Sequence, residues 1–145
     1  MRGTKFSVIG MGKYGRSIAQ ILSDRGAEVI AIDNREEYIE EVEDIVALAV
    51  TMDATDGKAL ESQNIHESDA VVVAIGANFE ALLLCCVQLK ELGVKRIIAR
   101  SNDENQKKIE KTVGNTRLVL KEKIGIVIFL FMLVSIEWFL RRRLG

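Results

Sequence analysis

Short apolar runs alternate along residues 1–120 with longer stretches in which apolar side chains recur every three or four positions. The short runs are rich in β-branched residues and end at glycine or polar positions, which is typical of strands buried on both faces. The longer stretches are typical of helices with one buried face. The pattern predicts strands at residues 6–9, 29–32, 46–50, 70–75, 96–99 and 117–120.

Helices are predicted between these strands, at residues 17–25, 35–43, 55–63, 79–92 and 103–112. Buried strands that are each followed by a helix indicate a parallel sheet with helices packed against it. We therefore predict an α/β fold: a Rossmann-like, doubly wound parallel sheet with helices on both faces in residues 1–123, followed by an apolar C-terminal helix in residues 124–145.

A glycine motif, Gly10-Met11-Gly12-Lys13-Tyr14-Gly15, stands between the first predicted strand and the first predicted helix. In this position the first glycine permits a tight turn, the second lets the backbone approach a phosphate, and the third lets the helix pack close to the strand. The free amides and the dipole at the helix start attract an anion. This context favours a dinucleotide-type site over a glycine turn that binds nothing.

Asp33 closes the second predicted strand about twenty residues beyond the glycines, where a carboxylate can accept hydrogen bonds from ribose hydroxyls. A carboxylate there repels a 2′-phosphate, which favours NAD or an adenosine nucleotide over NADP, although the nearby Arg35 could soften that exclusion. An N-cap role for Asp33 in the following helix is also compatible with ribose binding.

Two further loops follow strands at the same edge of the predicted sheet. Asp53-Ala54-Thr55 would lie at the adenine end of a nucleotide, and capping of the next helix by Asp53 or Thr55 fits the sequence equally well. The other loop, residues 76–80, follows the fourth predicted strand, and Asn78 in it suits both a ligand contact and an N-cap. The candidate cofactor-binding residues are Gly10, Met11, Gly12, Lys13, Tyr14, Gly15, Asp33, Asn34, Arg35, Asp53, Ala54, Thr55, Ile75, Gly76, Ala77, Asn78, Glu80 and Arg100.

Composition argues against several other classes of function. The formal net charge is -1, so no basic field would attract nucleic acid. His66 is the only histidine, and Cys85 and Cys86 are neighbours, so we expect neither a metal site nor a disulfide framework. We expect no catalytic residues either. A dehydrogenase needs a substrate domain and a proton-handling group beside the nicotinamide, and we expect this sequence to supply neither. A small NAD-dependent oxidoreductase, or the cofactor-binding half of one, is the alternative.

Several motifs occur together in one order and resemble those of the regulator-of-potassium-conductance domain (RCK, also called KTN or TrkA-N). The resemblance covers residues 4–123 and rests on Gly10 to Gly15, Asp33, Asp53 to Thr55, Ala74 to Asn78 with Glu80, Lys90 to Val94, and Ile98 to Arg100. It implies a cytoplasmic subunit, peripheral to the inner face of the membrane, that gates a potassium channel or transporter. It further implies homodimers that assemble into a ring, and NAD(H), ATP, ADP or AMP in the cleft. Lys13 stands where members often carry arginine, a side chain that can reach a phosphate.

Residues 124–140 form an apolar run that only Gly125, Ser135 and Glu137 interrupt. As a helix the run would span about 26 Å, slightly less than a ~30 Å hydrocarbon core, and Trp138 beside Arg141-Arg142-Arg143 resembles an interfacial belt. The alternatives are a crossover helix packed on a partner subunit and a segment foreign to the family. A membrane-anchored adaptor with a vestigial Rossmann fold would follow from the first interpretation.

Overall fold

The computed structural model describes residues 3–101, 103–113, 119–121, 136 and 138–143. Within these residues one parallel sheet is formed by β1 (Lys5–Ile9), β2 (Glu28–Asp33), β3 (Leu48–Thr51), β4 (Ala70–Val73), β5 (Ile97–Ser101) and β6 (Val119–Lys121). The strand order is β3-β2-β1-β4-β5-β6. This is the order of a doubly wound Rossmann sheet, so the predicted parallel α/β sheet is confirmed.

The helices between the strands are α1 (Lys13–Asp24), α2 (Glu36–Glu40), α3 (Gly57–Ser62), α4 (Phe79–Glu91) and α5 (Asp103–Val113), with a 3-10 turn at Ile65–Glu67. α1 begins four residues before its predicted start at residue 17, directly after Gly12. The apolar periodicity could not show this first turn, because Lys13 and Arg16 are polar and Gly15 has no side chain. α2 is shorter than the periodicity predicted, and α3 begins two residues later.

Helices cover both faces of the sheet because alternate strand residues point to opposite sides. On one face Phe6 and Val8 of β1 and Val72 of β4 pack with α1 and α2. On the other face Ile9 of β1 and Val73 of β4 pack with α3, α4 and α5. The two apolar cores hold the strands' carboxyl ends in one row, which is the edge where the candidate residues lie.

The last described residues, 136 and 138–143, are helical and pack on the domain itself. Ile136 is 8% exposed and joins the core beneath α1, and Leu140 packs at its margin. Among the described residues no helix combines the length and the apolar character that crossing a membrane requires. Residues 122–135 and 137 lie outside the described ranges, so the predicted C-terminal helix and the boundary at residue 123 stay predictions.

Candidate functional site

A cleft of about 450 Å³ opens at the carboxyl ends of the strands. It lies where β1 pairs with β2 on one side and with β4 on the other, so the chain connections run in opposite directions from this point. In open parallel sheets such a switch point is where ligands bind. The cleft is lined by Ile9, Gly10, Gly12, Lys13, Tyr14, Asp33, Asn34, Arg35, Tyr38, Met52, Asp53, Ala54, Thr55, Ala74, Ile75, Gly76, Ala77, Asn78, Ala81 and Arg100.

The three glycines of the motif have different structural roles. Gly10 has a φ of +95°, and a Cβ on it would lie 2.9 Å from the carbonyl carbon of Ala74. A Cβ on Gly15 would overlap the carbonyl oxygen of Gly10, so this glycine lets α1 pack against the turn. A Cβ on Gly12 would meet nothing within 4 Å. Gly12 is therefore not needed for packing, and its backbone borders open space in the cleft.

The start of α1 is unprotected by side chains. Its N-cap is Gly12, which makes no side-chain hydrogen bond, and its first turn contains no acidic residue. The first-turn amides therefore lack a capping acceptor, and the positive end of the helix dipole is not neutralised by a neighbouring carboxylate on the helix. Because Gly12, Lys13 and Tyr14 line the cleft, this helix end can hold an anion there.

Asp33 ends β2 and lines the cleft next to the glycine turn. Its Oδ2 accepts a hydrogen bond from the Met11 amide at 2.7 Å, and its Oδ1 accepts one from the Arg35 amide at 2.8 Å. The sequence allowed Asp33 to cap α2, but the N-cap of α2 is Arg35, so that interpretation is wrong. Each carboxylate oxygen keeps a second lone pair, so Asp33 can still accept hydrogen bonds from a ribose.

Asp53 lies in the loop after β3, Asn78 lies in the loop after β4, and both line the cleft. Oδ1 of Asp53 accepts hydrogen bonds from the Thr55 hydroxyl at 2.7 Å and the Thr55 amide at 2.9 Å, and these bonds lower the pKa of Asp53. The sequence allowed Asp53 or Thr55 to cap α3, but the N-cap of α3 is Asp56, so neither does. Asn78 does cap α4, because its Oδ1 accepts a 3.1 Å hydrogen bond from the Ala81 amide.

Charge is distributed unevenly along the cleft. Asp33 ends β2 and Asp53 lies in the loop after β3, whereas Lys13 begins α1 and Arg100 lies near the end of β5. The Arg100 guanidinium is stacked 3.8 Å from the centroid of the Tyr14 ring. The cleft thus offers carboxylates that can accept hydrogen bonds from hydroxyls, together with cations and a helix dipole that attract phosphates, which suits a ligand that carries both groups.

Three candidate residues do not line the cleft. The Met11 side chain is fully buried in the core beside α1, Gly15 serves the packing of α1, and Glu80 is exposed in the first turn of α4. The sequence reasoning missed five lining residues: Ile9, Tyr38, Met52, Ala74 and Ala81. Four of them adjoin or closely follow the candidate loops, so extending each loop would have found them. Tyr38 had a different signal, since it stands one helical turn after Arg35.

Groups that could provide metal or thiol chemistry are scarce in the described part of the chain. No cluster of three or more histidine, cysteine, aspartate or glutamate side chains suited to a metal occurs there. Cys85 and Cys86 are free thiols buried in α4, and burial raises the pKa of both, that of Cys86 to about 12.

Sequence comparison identifies the family to which this architecture belongs. The family model of the TrkA-N domain matches residues 6–121. The chain belongs to the TrkA-N domain family. This finding confirms the resemblance that the glycine motif and the following loops had indicated.

One relative of this TrkA-N chain is the Ktr system potassium uptake protein C of Bacillus subtilis, which is 37% identical over 119 residues. The match covers 82% of this chain and 54% of the relative. The chain therefore spans about half the length of that protein.

Solved structures show the same fold at lower identity. The TrkA-N domain of the inner membrane protein ybaL from Escherichia coli has a TM-score of 0.72 at 16% identity, over 92% of this chain and 98% of that one. The GsuK channel bound to NAD has a TM-score of 0.66 at 15% identity, over 82% of this chain and 21% of that one. The channel has also been solved bound to ADP, with a TM-score of 0.65 at 15% identity over 82% of this chain and 31% of that one.

Proposed function

We propose that this TrkA-N domain binds an adenosine nucleotide or NAD(H) in its cleft and, through that ligand, regulates a potassium uptake channel or transporter. The observation that carries the proposal is the uncapped start of α1 beside Asp33, whose carboxylate accepts a hydrogen bond from the Met11 amide just before that helix. The helix start can donate hydrogen bonds to a phosphate, and the Asp33 carboxylate can accept them from a ribose. Phosphate and ribose are the two features that all these nucleotides share.

Each part of the ligand has its own set of residues in this proposal. The phosphates bind the backbone at Gly10, Gly12 and the first turn of α1, and the Lys13 ammonium group adds a positive charge beside them. Asp33 accepts hydrogen bonds from the ribose hydroxyls, and the loop from Asp53 to Thr55 borders the adenine. The other cleft candidates shape the remaining walls: Tyr14, Asn34, Arg35, Ile75, Gly76, Ala77, Asn78 and Arg100.

The relatives support both halves of the proposal. The Bacillus subtilis protein is named for potassium uptake, and the GsuK channel has been solved with NAD and with ADP. A regulatory role needs two conformations that bind the ligand with different affinity, and a tenfold difference biases them by about 1.4 kcal/mol. We propose that the domain acts as a homodimer within a ring, at the cytoplasmic face of a membrane potassium channel or transporter subunit.

The binding half is tested with the purified chain. Mass spectrometry identifies any adenosine nucleotide that copurifies, and calorimetry then measures ATP, ADP, AMP and NADH separately. Inorganic pyrophosphate is the control, since it carries phosphates but no ribose for Asp33. We expect at least one adenosine ligand to bind more tightly than pyrophosphate. Equal affinities, or no adenosine binding at millimolar concentration, would contradict the site.

The regulatory half requires the membrane partner. Potassium flux is measured in vesicles that contain a membrane potassium transporter subunit from the same organism, with and without the chain and with each nucleotide that binds. A flux that responds to nucleotide only when the chain is present supports regulation. A flux that is identical under all conditions contradicts it and leaves the binding result standing.

A further inference from the structure

Arg35, at the rim of the cleft, has its guanidinium engaged by its own helix. Its Nε and Nη2 both point at Oε1 of Glu37, at 3.1 and 3.0 Å. Its Nη1 donates a 3.0 Å hydrogen bond to the Tyr38 hydroxyl, and the group lies 4.3 Å from the centroid of the Tyr38 ring. The edge formed by Nε and Nη2 is the one that binds phosphates and carboxylates in a bidentate manner, so Glu37 occupies it.

The position of Arg35 gives this pairing its significance. The Arg35 amide donates to Oδ1 of Asp33, so the backbone of Arg35 is attached to the proposed ribose acceptor, and both residues line the cleft. In Rossmann folds an arginine near this acidic position receives the 2′-phosphate of NADP. Here the arginine is present, but its phosphate-binding edge already has a carboxylate on it.

The surrounding charges act in the same direction. The hydrogen bond with Glu37 is the main reason that the pKa of Arg35 is raised. The pKa of Glu37 is lowered, first by a hydrogen bond to the backbone of Glu37 itself and then by the hydrogen bond with Arg35. The other guanidinium at this end, that of Arg16, lies 5.6 Å from the Tyr38 ring centroid and is paired with Glu41. Both cations near Tyr38 are thus matched by carboxylates of the α2 region, beside the carboxylate of Asp33.

We propose that Glu37 determines specificity: by occupying the phosphate-binding edge of Arg35, it makes the cleft accept nucleotides with a free 2′-hydroxyl and reject 2′-phosphorylated ones. The domain then responds to NAD(H) and adenosine nucleotides and not to NADP(H). Asp33 repels a 2′-phosphate by itself, but an unpaired Arg35 would offset part of that repulsion, and Glu37 prevents this. The inference rests on the proposed nucleotide site.

The test compares two probes that differ only in the 2′-phosphate, AMP and adenosine 2′,5′-bisphosphate. Each is measured by calorimetry as a competitor of ADP, on the wild-type chain and on Glu37→Gln. Wild type should prefer AMP. Glu37→Gln should narrow that preference by about three- to fivefold, the size expected when an exposed ion pair no longer competes. ADP itself should bind both proteins equally.

Glu36→Gln is the matched control, because it removes the same charge from the same first turn of α2, whereas the carboxylate that binds the Arg35 guanidinium is that of Glu37. Glu36→Gln should leave the preference for AMP over the bisphosphate unchanged. The double variant with Arg35→Ala and Glu37→Gln should lose the narrowing that Glu37→Gln alone produces. Equal shifts in the two glutamine variants, or none in Glu37→Gln, would overturn the role of Glu37. If wild type does not bind ADP, the proposed function itself fails, so the two failures are distinguishable.

Discussion

The main-chain N–H of Met11 donates a 2.7 Å hydrogen bond to Oδ2 of Asp33, 22 residues further along the chain. This bond ties the glycine turn to the end of β2 and fixes the distance between the start of α1 and the carboxylate. Asp33 therefore has two roles in our interpretation: it holds the phosphate loop in place, and it presents its remaining lone pairs to a ribose.

Replacing Asp33 should affect both roles. Asp33→Ala should lower the free energy of unfolding by about 1–3 kcal/mol, since two backbone amides lose a charged acceptor, and should weaken ADP binding by more than about 1 kcal/mol. Denaturant unfolding and calorimetry measure the two effects. Asp24→Ala, which removes an exposed carboxylate at the far end of α1, is the control. Unchanged ADP affinity in Asp33→Ala would count against the ribose assignment.

The glycine motif allows stability and binding to be separated. Gly15→Ala should destabilise the fold by about 3 kcal/mol or more, because the new Cβ would overlap the backbone of Gly10. Gly12→Ala has room for its Cβ and a φ of −68°, so it should cost at most about 1 kcal/mol while weakening nucleotide binding at least fivefold. Thermal unfolding measures the stability of each variant and calorimetry measures nucleotide binding. Normal nucleotide binding by Gly12→Ala would show that the phosphate does not bind at this loop.

Two helix caps form another matched pair. Asn78 caps α4 and lines the cleft, whereas Asp56 caps α3 and does not line it. Replacement of either by alanine should cost about 1 kcal/mol of stability, the usual effect of a lost N-cap. Only Asn78→Ala should also change nucleotide affinity. If Asp56→Ala weakens binding as much, the effect of Asn78 is structural alone.

The buried thiols predict how reactivity depends on folding and pH. Burial raises the pKa of Cys85 and Cys86, so at pH 8 both should stay protonated and should not react with Ellman's reagent until the chain unfolds. Above the ordinary thiol pKa the unfolded chain loses these protons while the folded chain retains them. Stability should therefore fall as pH rises above about 9, and less so in Cys86→Ala. Rapid reaction of the native protein would show that α4 does not pack as described.

Most of the fold follows from patterns within single segments. The alternation of buried strands and one-faced helices was enough to predict a parallel doubly wound sheet, because such segments can bury their apolar faces only against one another. The glycine motif indicated a tight turn followed by a helix for a similar reason, since Gly10 and Gly15 each answer a local steric demand. The ends of the elements were harder to predict: the sequence suggested Asp53 or Thr55 as the cap of α3, and only the loop geometry shows that Asp56 caps it.

The sequence alone determined the class of fold, the edge of the sheet that carries the cleft, and the acidic residue that faces the glycine loop. Only the tertiary structure decided that Asp33 binds the Met11 amide, that Arg100 stacks on Tyr14, and that Ile136 joins the core. The physical reason is range. Periodicity and turn chemistry act between near neighbours, whereas these contacts join segments that meet only after the sheet has assembled and has set the distances between them.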